Sequence, residues 1–191
     1  MKALEFDNEV TKELRPLKMD KTNFSTSVSD LNENLWGAHG QDKVVFQVST
    51  NPGAPKGPLG KIASGGELAR FTLALKAVLA RGDLIMTLIF DEVDSGVGGA
   101  VADAVGERLE KLASNDLGQV LVVTHSPQVA ARGTHHWLVS KTNSNTDFGT
   151  SVNLLDDEGR KEEIARMLAG AEVTNEARAA ADSLLGSTGR D

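Results

Sequence analysis

The stretch that decides the fold runs from Met86 to His125 and reads MTLIFDEVDSGVGGAVADAVGERLEKLASNDLGQVLVVTH. It contains two continuous apolar runs, one at Met86–Phe90 and one within Gln119–Thr124. Such runs predict strands that are buried on both faces of a parallel sheet. Between them, apolar residues recur at helical spacing at Val101, Val105, Leu109 and Leu112. Two parallel strands joined by a helix form a β-α-β unit, whose crossover is right-handed.

The segment before this unit predicts a helix, a pair of strands and an irregular connection. Residues 3–14 have the sparse apolar pattern of a polar helix. Alternating apolar and polar residues predict two antiparallel strands, Phe24–Val28 and Val44–Val48, with a loop at Asn32–Asp42 between them. Residues 51–61 hold three of the five prolines, so we expect an irregular connection there.

A longer helix is predicted over Glu67–Arg81, directly before the β-α-β unit. Its apolar residues recur every three or four positions, and they are Leu68, Phe71, Leu75, Val78 and Leu79. A stripe of this spacing is the face that a surface helix turns toward the core. We expect Gly82-Asp83 to end this helix.

The segment after the β-α-β unit predicts a short helix, a hairpin and two further helices. Ser126-Pro127 supplies an N-cap and a proline at the first helical position. The ranges His136–Ser140 and Thr150–Leu155 predict a hairpin, and residues 160–169 and 175–185 predict the two helices. The whole pattern predicts an α/β fold, with parallel core strands, crossover helices, antiparallel strands and C-terminal helices.

The composition excludes several classes of protein. The chain has 191 residues, no cysteine and a formal net charge of −7, from 20 basic and 27 acidic side chains. Without cysteine it has no disulfide scaffold, thiolate zinc site or cysteine nucleophile. No apolar run approaches the ~20 residues that span a bilayer, so we expect a soluble, cytoplasmic protein without a membrane partner. No block of the chain is basic, so if the protein works on nucleic acid we expect the main contact surface to lie elsewhere.

The segment Ser64-Gly65-Gly66-Glu67 begins the longer predicted helix and fits two roles. It fits a capping box, in which Ser64 and Glu67 satisfy each other's backbone N–H groups. It also fits an anion site, because two glycines expose the first N–H groups at the positive end of a helix. Both interpretations stay open on these residues alone.

Polar side chains also follow each of the two predicted core strands, as Asp91-Glu92 and His125. In open α/β sheets, ligands bind at the carboxyl ends of the parallel strands. One carboxylate there suits Mg²⁺, and the other suits polarising a water for attack on a phosphate. His125 suits a hydrogen bond to a terminal phosphate. Taken singly, each residue also fits an ordinary solvated strand end.

The three groups together resemble the motifs of a known family. The likeness is to an ABC-type ATPase head. Its signature motif resembles ASGGELAR (63–70), its Walker B strand resembles TLIFDEVDSG (87–96), and its H-loop resembles VLVVTHSPQVAA (120–131). Within the ABC-type heads, the chain resembles most the RecN family of bacterial SMC-like ATPases, through the segments FDEVDSGVGG, THSPQVAARG and NPGAP. This resemblance covers about residues 15–185. It implies an ATP-binding and ATP-hydrolysing head that acts with Mg²⁺ in DNA double-strand-break repair and recombination.

The resemblance also implies a role for each motif. The signature residues would contact the γ-phosphate of an ATP held by a second head, in a homodimer, through Ser64, Gly65, Gly66 and Glu67. Asp91 would support Mg²⁺, directly or through water. Glu92 would be the catalytic base that positions the attacking water, and His125 would contact the γ-phosphate.

A D-loop at the dimer interface is implied by the residues that follow the Walker B strand. It would run from Asp94 to Gly99 and include Asp94, Ser95, Gly96 and Gly98. Many ABC proteins carry an aspartate seven residues after the Walker B aspartate. This chain has Gly98 at that position, so the resemblance does not supply the contact made by that aspartate.

One part of an ATP site is missing from the sequence. A P-loop needs G-x-x-x-x-G-K-[ST], and the nearest match, Gly60-Lys61, is followed by Ile62 and preceded by Pro55 at the first glycine position. In RecN-like proteins the P-loop belongs to an N-terminal lobe beyond a long coiled coil. The resemblance therefore implies that lobe as a partner, residues 1–14 as a coiled-coil stub and residues 15–191 as the C-terminal lobe. We expect the chain alone not to hydrolyse ATP.

Two other functions stay open on the sequence. One is a head lobe of another SMC-like DNA-repair ATPase, against which only the NPGAP and DEVDSGVGG segments argue. The other is a non-catalytic docking module, held to a partner through the C-terminal helices or the acidic surface. A metal site at His135-His136 is disfavoured because no carboxylate or thiol completes a ligand set at a known spacing. Core packing is the better account of His136 and Trp137.

Overall fold

The computed structural model describes residues 2–80, 86–114, 118–144, 147–170 and 172–186. The chain divides into two compact units, residues 1–123 and residues 124–191. Within the described ranges, no helix combines the length and the apolar character needed to cross a membrane. The predicted helix end at Gly82-Asp83 lies outside these ranges.

Helix α1 (Lys2–Leu14) is the predicted N-terminal helix, and an aromatic cluster anchors it in the first unit. The ring of Phe6 lies 6.2 Å from that of Phe24 and 5.8 Å from that of Phe46, measured between centroids. Phe24 in turn lies 6.3 Å from Phe71. Aromatic pairs at such separations add to the free energy gained from burial alone. This helix with few apolar residues is therefore anchored by Phe6, by its buried last turn and by the hydrogen bond from the Thr26 hydroxyl to Asp7.

An antiparallel sheet follows α1, as the alternating pattern predicts. Strand β1 (Asn23–Asp30) pairs along its whole length with β2 (Asp42–Ser49), and β2 pairs with the short β3 (Gly57–Pro58). Helix α2 (Leu59–Ile62) comes next. The expectation that residues 51–61 are irregular throughout is therefore wrong at its C-terminal end. A proline fits β3 because an edge strand can lack one N–H donor.

Helix α3 (Gly65–Leu79) begins two residues before its predicted start. Its buried face carries Phe71, Ala74 and Ala77, whereas Leu79 is 69% exposed. The predicted apolar stripe is therefore only partly buried. The reason is that Phe71 joins the aromatic cluster, which turns this side of the helix inward.

The β-α-β unit forms as predicted. Strand β4 (Met86–Asp91) pairs in parallel with β5 (Gly118–Val123), and helix α4 (Gly99–Ala113) connects them. The helix buries the predicted positions Val105, Leu109 and Leu112, whose relative exposures are 4% or less. The parallel pairing places the C-terminal ends of both strands at the same edge, with Asp91 opposite Val123.

Burial on both faces of these strands, however, is a wrong expectation for this chain. Phe90 is buried, but Ile89 is 57%, Leu121 43% and Val123 57% exposed. These three residues lie on one face, because Ile89 is opposite Leu121 and side chains alternate along a strand. The strands are apolar on both faces, but only one of those faces is covered within this chain.

The second unit contains the predicted short helix, hairpin and C-terminal helices. They are α5 (Pro127–Arg132), β6 (Trp137–Ser144) paired with β7 (Asp147–Leu154), α6 (Asp157–Ala169) and α7 (Asn175–Gly186). The hairpin strands run further toward the turn than predicted, since Ser144 pairs with Asp147. Between the last two helices, Gly170 has a φ of +81°, which is a conformation that glycine adopts without strain.

A small core joins α5, α6 and α7 within this unit. It contains Ala131, Ile164, Ala165, Ala177 and Ala181. Core packing is a wrong account of Trp137, which is 56% exposed on the hairpin. His136 directly before the hairpin is partly buried.

Candidate functional site

The start of α3 carries the capping interaction that the sequence predicts. A carboxylate oxygen of Glu67 accepts hydrogen bonds from the backbone N–H of Ser64 and from its hydroxyl group, both at 2.8 Å. Ser64 and Gly65 are exposed. The start of the helix is therefore open to a ligand, but the Ser64 hydroxyl is engaged by Glu67 in the capping interaction.

A close backbone contact joins this helix start to the loop that follows β4. A β-carbon built on Gly66 would lie 3.0 Å from the carbonyl oxygen of Ser95 and 3.4 Å from Val97. The next residue of that loop, Gly96, has a φ of +72° and also lies near the Gly66 backbone. Glycine is therefore needed at position 66 for space and favoured at position 96 for conformation. The predicted signature residues at the start of α3 and the predicted D-loop are brought together within the first unit.

Asp91 and Glu92 stand at the C-terminal end of β4, where the sequence predicts them. Both residues are exposed. The backbone N–H of Glu92 donates to the carbonyl oxygen of Val123 at 3.0 Å, which extends the parallel pairing by one residue. Glu92 has a φ of +48°, a left-handed conformation that costs free energy for any residue with a β-carbon. Such strain is often found at functional positions, and here it turns the chain sharply at the strand end.

The loop after Glu92 is held by its own backbone and by buried side chains. The N–H of Ser95 donates to the carbonyl oxygen of Glu92 at 2.9 Å, and that of Val97 donates to the carbonyl oxygen of Asp94 at 3.2 Å. Asp94 has no exposed surface, and Val93 is 4% exposed. Asp94 is therefore embedded in the unit, whereas Ser95 and Gly96 lie where the loop meets α3.

Gly98 comes directly before α4 and differs in backbone conformation from Gly96 and Gly99, which both have a positive φ. Its φ is −152°, an extended conformation that any residue adopts, and a β-carbon there would meet no atom within 4 Å. The structure therefore has room for a side chain at the position where many ABC proteins carry aspartate.

His125 lies at the beginning of the second unit and is exposed. Its neighbours are fixed on both sides, because the Thr124 hydroxyl oxygen accepts a hydrogen bond of 2.9 Å from the N–H of Ser126. The Ser126 hydroxyl donates to the side-chain oxygen of Gln128, also at 2.9 Å. Ser126 does precede α5 as predicted, but its side chain bonds to Gln128 instead of capping a backbone N–H.

Arg70 is a residue of this region that the sequence pattern did not indicate. Its Nε donates to the carbonyl oxygen of Gly66 at 3.2 Å, and its Nη1 donates to that of Leu17 at 3.1 Å. Burial lowers the pKa of the Arg70 guanidinium, and the charge of Glu67 opposes that shift. Arg70 thus links the helix start to the segment after α1. No signal in the sequence reveals this link, because Leu17 is distant in the chain and contributes only its backbone.

Gly60-Lys61, the incomplete P-loop match, lies within the short helix α2. Among the residues that the structure describes, no group of three His, Asp or Glu side chains could hold a metal ion by itself. The exposed carboxylates Asp91 and Glu92 still fit the oxygen donors that Mg²⁺ prefers when phosphate oxygens and water complete its shell.

Comparison with known sequences finds relatives over most of the chain. The DNA repair protein RecN of Rickettsia bellii is 44% identical over 91% of this chain and 31% of its own length. That of Halalkalibacterium halodurans is 41% identical over 96% of this chain and 32% of its own length. That of Xylella fastidiosa (strain Temecula1) is 49% identical over 77% of this chain and 26% of its own length. The chain thus spans about a third of the relatives that it matches. No family model matches it.

Comparison with solved structures identifies the fold. A chain from a study of ATP-driven dimerization and DNA-stimulated activation of SMC ATPases has a TM-score of 0.60 at 16% identity, over 87% of this chain and 93% of that chain. The Smc head domain with a coiled coil and joint from Pyrococcus yayanosii has a TM-score of 0.62 at 19% identity, over 84% and 29%. An SmcHead bound to the C-winged helix domain of ScpA has a TM-score of 0.58 at 16% identity, over 82% and 44%. The predicted α/β ATPase-head fold is confirmed.

Proposed function

We propose that this chain is the C-terminal half of an ATP-hydrolysing head. Two findings support this proposal: the chain is related over most of its length to a portion of DNA repair protein RecN, and it has the fold of an SMC head lobe. The complete protein would use ATP in double-strand-break repair and recombination, in the cytoplasm at the nucleoid. The observation that carries the proposal is the contact of Gly66 with Ser95, because it brings a signature helix and the loop after a Walker B strand onto one surface.

The residues at this surface suit the binding of a phosphate group. The N–H groups of Gly65 and Gly66 and the hydroxyl group of Ser64 stand at the positive end of α3. They would bind the γ-phosphate of an ATP held by a second head. To reach that phosphate, the Ser64 hydroxyl would give up its hydrogen bond to Glu67. His125, which is not part of the signature segment, would donate a hydrogen bond to a γ-phosphate of ATP as a catalytic residue together with Glu92.

Asp91 and Glu92, at the end of β4, would have two different roles, in binding Mg²⁺ and in activating water. Asp91 would hold Mg²⁺, directly or through water, and the ion would neutralise charge on the phosphate oxygens. Glu92 would accept a proton from the water that attacks the γ-phosphate and would orient that water. The left-handed backbone at Glu92 is consistent with a functional role at this position, because such strain is often found at functional sites.

The site needs a second lobe, and the exposed apolar surfaces support this part of the proposal. The uncovered face of β4 and β5 carries Ile89, Leu121 and Val123. The hairpin of the second unit exposes four apolar side chains in two cross-strand pairs, Trp137 with Leu154 and Val139 with Val152, each more than half exposed. Contiguous apolar patches of this kind mark interaction surfaces. We propose that an N-terminal P-loop lobe covers the exposed face of β4 and β5.

Other parts of the complete protein would supply the remaining functions. The acid surplus of the chain supports placing the DNA-binding surface elsewhere. Residues 1–14 would be the last turns of a coiled coil that separates the two lobes.

The decisive experiment is co-purification of this chain with the P-loop lobe of its own full-length protein, followed by an ATPase assay. We expect no turnover by the chain alone and turnover by the pair. Glu92→Gln should then abolish hydrolysis and retain ATP-dependent dimerisation of heads. Turnover by the pure chain would contradict the need for a second lobe. A folded pair that neither binds nor hydrolyses ATP would instead favour the docking-module function.

A further inference from the structure

Arg160 lies in the first turn of α6, yet its side chain contacts the end of a different helix. The residue is 4% exposed. Its Nη2 donates to the carbonyl oxygen of Ala131 at 2.6 Å and lies 3.5 Å from that of Ala130. Its Nη1 lies 3.5 Å from the carbonyl oxygen of Thr134. One buried guanidinium therefore faces three carbonyl oxygens at and just beyond the C-terminal end of α5.

These contacts complement the charge distribution of α5. The last carbonyl groups of a helix have no partners inside it, and together they form its negative end. A guanidinium is always charged and has five N–H donors in one plane, so a single side chain can satisfy several such groups. Burying a charged residue is costly without such partners. The location of Arg160 is therefore explained by α5, not by a surface ion pair.

Helix α5 needs this support because it is short. It has six residues, and helices of that length are not stable alone. Its C-terminal end is held by Arg160 and by the burial of Ala131 in the core of the unit. Its N-terminal end is held by the hydrogen bond from the Ser126 N–H to the Thr124 hydroxyl oxygen. His125 lies between these last two residues and is itself exposed, so the backbone around it sets its direction.

We infer that Arg160 is a positioning residue for His125, acting through α5. This inference rests on the proposed function, in which His125 contacts the γ-phosphate. Arg160 itself does not touch the nucleotide in this scheme. Its loss would allow α5 to shift, and a misplacement of about 1 Å at a catalytic group is enough to lower the rate of a reaction strongly.

The test uses the full-length protein and compares Arg160→Met and Arg160→Lys with the control Arg178→Met. Arg178 bonds to Glu162 on the exposed side of α6 and α7, so its replacement removes a guanidinium from the same unit without affecting α5. Hydrogen exchange is measured without nucleotide. We expect about tenfold faster exchange in peptides covering residues 124–133 for Arg160→Met, a smaller increase for Arg160→Lys and none for the control.

ATPase kinetics provide the second readout. We expect kcat to fall about tenfold in Arg160→Met, with KM for ATP within about twofold of the unsubstituted value. In a protein that already carries His125→Ala, Arg160→Met should cause no further loss, because both changes remove the same contribution.

Two results would overturn the inference. One is unchanged exchange across residues 124–133 in both Arg160 variants. The other is an equal loss of kcat from Arg160→Met with and without His125→Ala, which would show a general structural effect. Failure of the proposed function gives a different result. It would appear as a full-length protein without ATPase activity, or as full activity after His125→Ala. Either outcome removes the premise that His125 contributes to ATP hydrolysis, whatever the exchange data show.

Discussion

Gly66 and Ser95 approach so closely that a β-carbon on Gly66 would lie 3.0 Å from the Ser95 carbonyl oxygen. Few real β-carbons approach a backbone oxygen so closely, and neither backbone can yield like a flexible side chain. The start of α3 and the loop after β4 are therefore packed backbone against backbone at this point.

Replacing Gly66 by alanine tests this contact. We expect Gly66→Ala to destabilise the chain by about 1–3 kcal/mol, as overpacking commonly does. Gly65→Ala is the matched control, because a β-carbon at that position would meet no atom within 4 Å. It should leave thermal stability unchanged or slightly raised, since alanine favours the helical conformation. Equal melting temperatures for the two variants in a thermal unfolding experiment would contradict the close contact.

The strained backbone at Glu92 predicts a gain in stability when the strain is removed. Glycine adopts a φ of +48° without the steric cost that a β-carbon imposes. We therefore expect Glu92→Gly to be more stable than Glu92→Ala by about 1 kcal/mol, measured by chemical denaturation. Both variants should lack ATPase activity in the full-length protein. An alanine variant as stable as the glycine variant would show that the strand end relaxes without cost.

His136 predicts a dependence of stability on pH. Burial lowers the pKa of its imidazole below the ordinary value of 6.5, and the nearby charge of Glu163 opposes that shift. The unfolded chain then binds more protons than the folded chain below about pH 6.5, so stability from this group is lost as the pH falls through that range. We expect the melting temperature to fall from pH 7.5 to pH 5.5, and to fall less in His136→Gln.

The matched control for the pH experiment is His135→Gln, which removes the adjacent imidazole. Melting curves of the three proteins are recorded at the same ionic strength. The prediction fails if His136→Gln and the unsubstituted chain lose stability equally between the two pH values.

The ion pair between Glu13 and Arg108 predicts a large effect of one substitution. It joins α1 to α4, and its side chains are 8% and 12% exposed. Removing one partner from a buried pair leaves the other charge poorly compensated and costs about 3 kcal/mol or more. We expect Arg108→Met to cause such a loss in urea denaturation, and Glu13→Gln with Arg108→Met to recover part of it.

An exposed ion pair provides the comparison. Arg178 and Glu162 are 37% and 40% exposed, and surface pairs contribute little to stability. Arg178→Met should therefore leave the denaturation midpoint nearly unchanged. If Arg178→Met lost as much stability in urea as Arg108→Met, burial would not explain a difference in the strength of the two ion pairs.

Much of the fold could be predicted because its elements are encoded in local patterns. The apolar runs before Asp91 and His125 predicted two parallel strands, and the residues between them predicted helix α4. The spacing of Ser64 and Glu67 within ASGGELAR predicted the capping interaction of α3. Each of these features depends on spacing within one element, and spacing is visible in a sequence.

The sequence by itself thus determined the element order, the motif residues and the lack of a P-loop motif in this chain. Only the tertiary structure decided which faces are covered, as with Ile89, and which distant groups meet, as with Arg160 and the carbonyl oxygen of Ala131. The left-handed backbone at Glu92 belongs to the same group, since no glycine marks it. The physical reason is that these properties depend on packing between elements far apart in the chain, which local periodicity does not encode.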